Sequence, residues 1–257
     1  MILGQLSDTH INGQDKRRTR LIAGLAAAAA AGVEHLVVTG DLTSRGTEAQ
    51  MRELGAVLDA AWPAPRRATL VPGNHDAGEA FDRAIVRGSL ARFGADSLGA
   101  VDLGEVVLVP VDTRFARRAF LFRAMGRAGQ KGLGAVHSVL SAHGEKTVVV
   151  AMHHGPQGHF GIDDLVDRGT FGKMLSGSPN LHVLCGHDHR LLDEGRIHVA
   201  PSVAYHPEPL RTYTADKAGL SVGIASKNPG MSLSLKQIAN EVSGLGSLPL
   251  PIARLIP

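Results

Sequence analysis

Five short polar motifs carry the residues of this sequence that could do chemistry. Each contains Asp, Asn or His, usually beside a glycine, and each directly follows an apolar stretch that is typical of a β-strand. The motifs are Asp8-Thr9-His10, Gly40-Asp41, Gly73-Asn74-His75-Asp76, His153-His154 and Gly186-His187-Asp188-His189. Because the carboxyl ends of strands line one edge of an open α/β sheet, where ligands bind, we expect these motifs to converge in space.

The donor atoms in these motifs suit divalent metal ions. Carboxylate and amide oxygens and imidazole nitrogens bind Mn, Fe, Zn or Co, and the motifs lack the thiolates that are typical of structural zinc. Asp8 and His10, two residues apart on a turn, can both face one ion. Asp41 follows a glycine that allows close backbone approach and is the natural bridge to a second ion, to which Asn74 offers a neutral oxygen.

The remaining motif residues complete the set that two-metal phosphoester hydrolysis needs. That chemistry uses two ions roughly 3.5 to 4 Å apart, a bridging carboxylate and an activated water or hydroxide for in-line attack on phosphorus. His187 and His189, spaced i, i+2 at a strand end, can supply one imidazole to each ion. His75 is not expected to ligate; it can contact phosphoryl oxygens or protonate the leaving alkoxide. The sequence therefore predicts catalytic roles for His75 and Asp41.

Alternating strand and helix patterns predict a layered α/β scaffold that positions the motifs. The predicted strands are Ile2–Leu6, His35–Thr39, Ala68–Val71, Val106–Val111, Thr147–Met152 and Leu181–Cys185. The predicted helices are Lys16–Ala31, Thr47–Ala61, Glu79–Phe93, Leu133–His143 and Thr170–Leu175. Beyond residue 190 the strands Arg196–Ala200, Leu220–Ala225 and Met231–Ile238 follow one another without helices, which predicts an antiparallel portion.

Composition sets the class of protein. With 257 residues, 44% hydrophobic and 20% charged, the chain can bury the core of one large domain. A net charge of +3 is too small to imply a nucleic-acid or membrane-surface partner. No basic stretch and apolar segment follow Met1, and the longest apolar run, Leu21 to Val33, is too short for a bilayer. We expect a cytoplasmic protein with no stable membrane insertion and no disulfide, since Cys185 is the single cysteine.

The five motifs, in this order and spacing, resemble those of the calcineurin-like metallophosphoesterase superfamily over roughly residues 1 to 206. Gly40-Asp41-Leu42-Thr43, with Gly46 shortly after, most resembles the class III cyclic-nucleotide phosphodiesterase group, which includes glycerophosphodiesterases. The resemblance implies a four-layer α/β/β/α sandwich of two mixed sheets flanked by helices. The length of the chain predicts a single domain over residues 1–257, which residues 207–257 are expected to complete with C-terminal antiparallel strands and a tail.

The resemblance also implies how the ligands divide between two divalent or trivalent ions. The first ion would take Asp8, His10, Asp41 and His189, and the second Asp41, Asn74, His153 and His187. His154 would support a ligand from behind, while Asp76 is expected to orient the turn of His75. One departure is Gly155, which separates the histidine pair from Pro156 and would loosen the loop into the substrate pocket.

Four features outside the motifs leave alternatives open. His159 and His206 each follow a motif at the expected pocket rim and are candidates to touch substrate. Residues 114–127 hold five arginines and three phenylalanines. This composition suits a flap for an anionic or lipid-like substrate, a membrane-surface helix, or a helix packed inward or against a second subunit. The run Lys16-Arg17-Arg18 is typical of a solvated helix start, although it could also attract an anionic substrate.

The leading functional hypothesis is a phosphodiesterase that hydrolyses a small organic phosphodiester, of cyclic-nucleotide or glycerophosphodiester type, by attack of a metal-bridging hydroxide. One alternative is a hydrolase of a lipid-linked substrate, a nucleotide pyrophosphate or a nucleic acid, although a nuclease usually carries a capping domain for which this chain has little room. Another is a metal-binding scaffold without catalysis, which is disfavoured because no ligand position is missing. A homodimer is compatible with all three.

Overall fold

The computed structural model describes residues 1–115, 124–157 and 165–223. Within them two mixed β-sheets pack face to face. The first sheet has the strand order β11-β10-β1-β2-β3. Its strands are β1 (Ile2–Leu6), β2 (His35–Thr39), β3 (Arg67–Val71), β10 (Arg211–Asp216) and β11 (Gly219–Gly223). Strands β1, β2 and β3 are parallel, whereas β10 is antiparallel to both β1 and β11.

The second sheet has the strand order β4-β5-β6-β7-β9-β8. Its strands are β4 (Val101–Asp102), β5 (Val106–Pro110), β6 (Thr147–Ala151), β7 (Leu181–Cys185), β8 (Leu192–Glu194) and β9 (Ile197–Val199). The four inner strands β5, β6, β7 and β9 are parallel, and β4 and β8 are antiparallel edge strands. Parallel inner strands end at one edge of the sheet, so the loops that follow them can meet there.

Helices cover the outer face of each sheet. They are α1 (Asp15–Ala30), α2 (Glu48–Ala61), α3 (Ala80–Arg87), α4 (Gly94–Ser97), α5 (Gly129–Ala142) and α6 (Arg168–Gly177). In α2 the buried residues include Met51, Leu54 and Leu58, the spacing of one helix face, and the Thr47 hydroxyl accepts from Gln50 N at the start of the helix. No helix within residues 1–115, 124–157 and 165–223 is long and apolar enough to cross a membrane.

Alternating side chains build three cores from the two sheets. Val149 and Ala151 of β6 point between the sheets, while Val148 and Val150 point toward α5 and α6. Because successive residues of a strand face opposite sides, a strand buried on both faces needs an uninterrupted apolar run. This is why the sequence of β6 reads Thr-Val-Val-Val-Ala. The layers are helix, sheet, sheet and helix, so the predicted sandwich of two mixed sheets flanked by helices is confirmed.

Most predicted elements are present, but one helix, one strand pairing and several edge strands differ from the prediction. The helix predicted over Glu79–Phe93 ends at Arg87 and is followed by a 3-10 turn over Ala91–Phe93, because the Gly88-Ser89 pair breaks the helix. The strand expected at Arg196–Ala200 is β9, which pairs parallel with β7 rather than joining an entirely antiparallel portion. Strands β4, β8 and β10 were not predicted, and the strand at Met231–Ile238 lies outside the described residues.

Candidate metal centre

All five motifs lie at the carboxyl ends of parallel strands from both sheets. Asp8 and His10 follow β1, Asp41 follows β2, and Asn74 follows β3; His153 follows β6, and His187 and His189 follow β7. The two sheets therefore contribute to one site from opposite sides. The predicted convergence is what the structure shows, since the side chains contact one another across the sheet interface.

The first ligand cluster joins residues from three motifs. Asp8, His10, Asp41 and His189 each offer one ligand atom, and these atoms all lie within 4.8 Å of one another. His189 Nε2 lies 3.0 Å from Asp8 Oδ1 and 3.3 Å from His10 Nε2. The cluster contains the four residues that the sequence resemblance implied for one ion.

The second ligand cluster surrounds the buried imidazole of His153. Its Nε2 lies 3.3 Å from Asp41 Oδ1, 3.2 Å from Asn74 Oδ1 and 3.3 Å from His187 Nδ1. Two side-chain oxygens and one imidazole nitrogen thus lie within 3.3 Å of His153 Nε2. They belong to the residues that the resemblance implied for the second ion.

Asp41 connects the two clusters through its two oxygens. Oδ2 lies 3.7 Å from His10 Nε2 in the first cluster, while Oδ1 faces His153 in the second. A carboxylate in this position can ligate two ions at once, which is the role that the sequence predicted for it. Oδ1 also accepts a hydrogen bond of 2.9 Å from His75 N, so the loop after β3 holds the carboxylate in place.

The ligands themselves sit in an unusual backbone conformation. Five non-glycine residues have a positive φ among the described residues, and all five belong to the clusters. They are Asp8 (53°), His10 (46°), Asp41 (45°), His187 (72°) and His189 (56°). The left-handed region is sterically costly for residues with a Cβ, although Asp and His enter it more readily than most. Such strain persists only where the surrounding structure enforces it, and it is concentrated at functional sites.

Three glycines make the close approach of the motifs feasible. A Cβ on Gly40 would overlap the His153 ring, one on Gly73 would overlap Asp41, and one on Gly186 would overlap Ser7 and Asp8. Gly40 also has φ of +90°, which glycine adopts at little cost. These three positions therefore require glycine because a side chain would not fit between the motifs.

Hydrogen bonds to neighbouring residues that are not ligands themselves orient the candidate ligands. His153 Nδ1 lies 2.9 Å from the Thr39 carbonyl oxygen, so this nitrogen carries the proton and Nε2 is left with a lone pair for an ion. The Ser7 hydroxyl donates to Asp8 Oδ2 over 2.5 Å. His154, predicted to support a ligand, lies behind the second cluster with its Nδ1 2.8 Å from Thr113 Oγ1. One of its ring nitrogens is also within 4.8 Å of the ligand atoms of His153 and His187.

Asp76 locks two motif loops together. Its carboxylate accepts hydrogen bonds from the backbone N–H groups of Leu42, Thr43 and Gly73 and from the Thr43 hydroxyl, over 2.8 to 3.0 Å. Burial and the nearby charge of Asp41 raise the pKa of Asp76 to about 6, while these hydrogen bonds oppose the rise. All of these partners are donors, which matches an ionised carboxylate that holds the two loops together and leaves no oxygen for an ion.

His75 stands at the open side of the site. Its Nδ1 donates to the Ser44 carbonyl over 2.9 Å, and its Nε2 lies 3.9 Å from Asp41 Oδ2. About half of the side chain is exposed, 47% by surface area, in contrast to the buried side chains of Asp41 and His153. An imidazole fixed in this way holds Nε2 near the Asp41 carboxylate.

The charges of the buried groups suit metal ions. Burial raises the pKa of Asp8 and Asp41, but contacts with imidazoles outweigh it, so both carboxyls titrate below their usual range. Burial lowers the pKa of His10 to about 4 against the attraction of Asp41 and Asp8, so this ring is neutral near pH 7. Burial lowers the pKa of His153, but the Asp41 carboxylate outweighs it and raises the pKa to about 10, so this ring holds a proton when no ion is bound. Asp8 Oδ1 is buried and lies 3.0 Å from His189 Nε2. Ionised carboxylate oxygens that face imidazoles, whose protons an ion can replace, fit a metal centre.

Two rim predictions have different outcomes. His159 lies in residues 158–164, outside the described residues. His206 is half-buried, and its Nδ1 contacts Glu208 within its own turn, at 2.9 Å from the carbonyl oxygen. No hydrogen bond or ring contact joins His206 to the ligands among the described residues. The sequence analysis missed its neighbour Tyr205, whose ring centroid lies 5.3 Å from that of His189.

The fold and the two clusters define a class: a metal-binding α/β sandwich with its site at the strand ends of both sheets. The sequence model of the calcineurin-like phosphoesterase family matches residues 1–191. The chain belongs to this family, and it is a metal-dependent phosphoesterase. No curated protein matches the sequence in a direct search.

Solved structures share the fold at low sequence identity. A dimetal phosphatase from Danio rerio superposes with a TM-score of 0.65 at 13% identity, over 86% of this chain and 98% of that one. A protein from Thermus thermophilus gives a TM-score of 0.55 at 12% identity, over 87% and 98% of the two chains. The anchor protein of the inner membrane complex of Plasmodium gives 0.62 at 8% identity, over 94% of each. These likenesses establish the fold alone.

Proposed function

We propose that this protein is a two-metal phosphodiesterase that hydrolyses a small organic phosphodiester. The observation that carries the proposal is the position of Asp41, whose two oxygens face two separate clusters of ligand atoms. One ion in each cluster would share this carboxylate. The description of the Danio rerio neighbour as a dimetal phosphatase supports a centre of this kind.

The ions and the residues that hold them would have different roles in such a centre. When bound, the two ions supply positive charge to the phosphoryl oxygens and acidify the water that attacks phosphorus. The ligands hold that charge in fixed geometry, because their strained backbone and buried hydrogen bonds leave them little freedom. Asn74 contributes an oxygen without a further negative charge, which keeps the site positive enough for an anionic substrate.

His75 is the group placed to deliver a proton to the departing alkoxide. The Ser44 carbonyl holds Nδ1, so only Nε2 can exchange a proton with a ligand above Asp41. Proton delivery matters most when the leaving group is a poor one, such as the sugar or glycerol alkoxide of a natural diester. The preference for diesters is supported by the likeness of the segment Gly40-Asp41-Leu42-Thr43 to class III phosphodiesterases. A cytoplasmic location and a Mn or Fe pair stay predictions.

Hydrolysis by metal-free protein, re-supplied with Mn, tests this function. The panel is bis(p-nitrophenyl) phosphate, p-nitrophenyl phosphate, cyclic AMP and a glycerophosphodiester. We expect Mn-dependent turnover that favours diesters and that is lost in Asn74→Ala. Asn180→Ala is a matched control, because Asn180 precedes β7 at the opposite end of the strand from His187 and donates to Gly144 and Lys146 carbonyls. Full activity of Asn74→Ala would refute the two-metal assignment.

A further inference from the structure

Two arginines of α1 converge on a single backbone carbonyl near the metal centre. Arg17 Nη1 donates to the Ala204 oxygen over 2.6 Å, and Arg20 Nη1 donates to the same oxygen. Two like charges brought to one neutral acceptor repel each other. A bound anion would offset this repulsion between the two guanidinium groups, whereas the neutral carbonyl cannot.

No carboxylate lies within ion-pair distance of Arg17 or Arg20 in residues 1–115, 124–157 and 165–223. The neighbouring Arg18 shows the usual arrangement, since it pairs with Asp15 and with Glu53, the latter at 2.6 Å. A guanidinium has five N–H donors, and the carbonyl uses one donor of each arginine. Arg17 and Arg20 thus keep donors and positive charge for a ligand.

The exposed ring of Tyr205 links this pair to the first ligand cluster. The Arg17 guanidinium carbon lies 4.3 Å from the ring centroid. The same centroid lies 5.3 Å from the His189 ring and 6.1 Å from the His10 ring. Tyr205 is 58% exposed although it lies among buried residues. One aromatic ring therefore separates the arginines from the metal ligands.

We infer that Arg17 and Arg20 form a second phosphate site, so that the enzyme favours a phosphodiester that carries an additional phosphate on one of its alcohol groups. This inference rests on the proposed function, which places the scissile phosphoryl group at the metal clusters. The planar guanidinium of arginine binds phosphate through two parallel charge-assisted hydrogen bonds. Tyr205 supports Arg17 by a cation–π contact and offers an apolar surface to the sugar or base between the two phosphates.

Equilibrium binding tests the second site without any requirement for turnover. Mn-loaded protein is titrated calorimetrically with thymidine 5′-phosphate and with thymidine 3′,5′-bisphosphate, which differ by one phosphate. We expect the wild-type protein to bind the bisphosphate at least about tenfold more tightly. In Arg17→Gln/Arg20→Gln the ratio should fall to near one, since glutamine can still donate to the Ala204 carbonyl but carries no charge.

Two controls separate this site from general charge and from misfolding. Lys16→Gln removes one exposed positive charge from the same helix turn and should keep the wild-type ratio. Arg17→Lys/Arg20→Lys keeps the charge but loses the paired N–H donors of the guanidinium groups, and it should give an intermediate ratio. A wild-type ratio near one, or a double glutamine variant that folds and keeps the full preference, would overturn the inference. Absence of diester hydrolysis with the binding preference intact would instead count against the proposed reaction alone.

Discussion

His153 Nε2 lies 3.3 Å from Asp41 Oδ1, at a point where neither side chain is more than 3% exposed. The other nitrogen of the ring donates to the Thr39 carbonyl, so the ring is fixed on both sides. A proton on Nε2 can occupy the position that an ion would occupy, and the two compete for it. The metal-free and metal-loaded proteins should therefore respond to pH in different ways.

The stability of the metal-free protein is predicted to fall as the pH rises from about 7 to 10. Burial lowers the pKa of His153, but the charge and hydrogen bond of Asp41 outweigh it and raise the pKa from 6.5 to about 10. A raised folded-state pKa gives stability that is complete below pH 6.5 and is lost through the folded value. Melting temperatures of metal-free protein across this range measure the effect. His153→Asn should remove most of the slope, and a melting temperature that rises with pH would contradict the pairing.

Asp76→Asn is predicted to destabilise the fold by about 3 kcal/mol, because the new amide N–H₂ must face backbone donors that have no other partner. Chemical unfolding of the variant gives this free energy. Asp82→Asn is the control: Asp82 is half exposed and pairs with Arg114, so its loss should cost less than about 1 kcal/mol. Equal costs for the two variants would show that Asp76 does not lock the loops.

His75→Ala is predicted to lower kcat for an alkyl diester by about 100-fold or more, while the bound metal content is unchanged. The loss should be smaller for bis(p-nitrophenyl) phosphate, since p-nitrophenolate leaves without protonation. His137→Ala, on the exposed face of α5, is the matched control and should leave both rates unchanged. Equal losses for the two substrates would assign His75 to phosphate binding rather than proton delivery.

Gly73→Ala is predicted to weaken metal binding and activity together, because its Cβ would overlap Asp41 N and Oδ1. Gly134→Ala, in α5, meets nothing within 4 Å and should stabilise the protein by about 0.5 to 1 kcal/mol. Metal content and thermal melting of both variants check the pair of outcomes. A Gly73→Ala protein with wild-type metal content would show that the close approach is not required.

The convergence of the candidate ligands could be predicted because each of them occupies a motif whose position after an apolar run is visible in the sequence. Periodicity also predicted the inner strands, since β6 and β7 are buried on both faces and read as continuous apolar runs. Strands β4, β8 and β10 were harder to predict from the sequence. β4 and β8 have only two and three residues, and β10 carries the polar run Arg-Thr-Tyr-Thr before Ala215.

The pattern of the sequence did not reveal the supporting contacts. Tyr205 stands beside the first cluster because β1 and the loop after β9 meet through tertiary contacts, such as the hydrogen bond from Val203 N to the Ser7 carbonyl. The chain has only two tyrosines, and their scarcity was the single available signal. Arg17 and Arg20 reach Ala204 across 184 or more residues, which no local spacing encodes.

The most direct test of the central claim is the number of Mn ions that one chain binds, measured by equilibrium dialysis of metal-free protein, with diester hydrolysis followed on the same samples. We expect two ions for the wild-type protein, one for Asn74→Ala, and turnover only when both ions are bound. A single ion in the fully active wild-type protein would contradict the role of Asp41 as the bridge between two clusters.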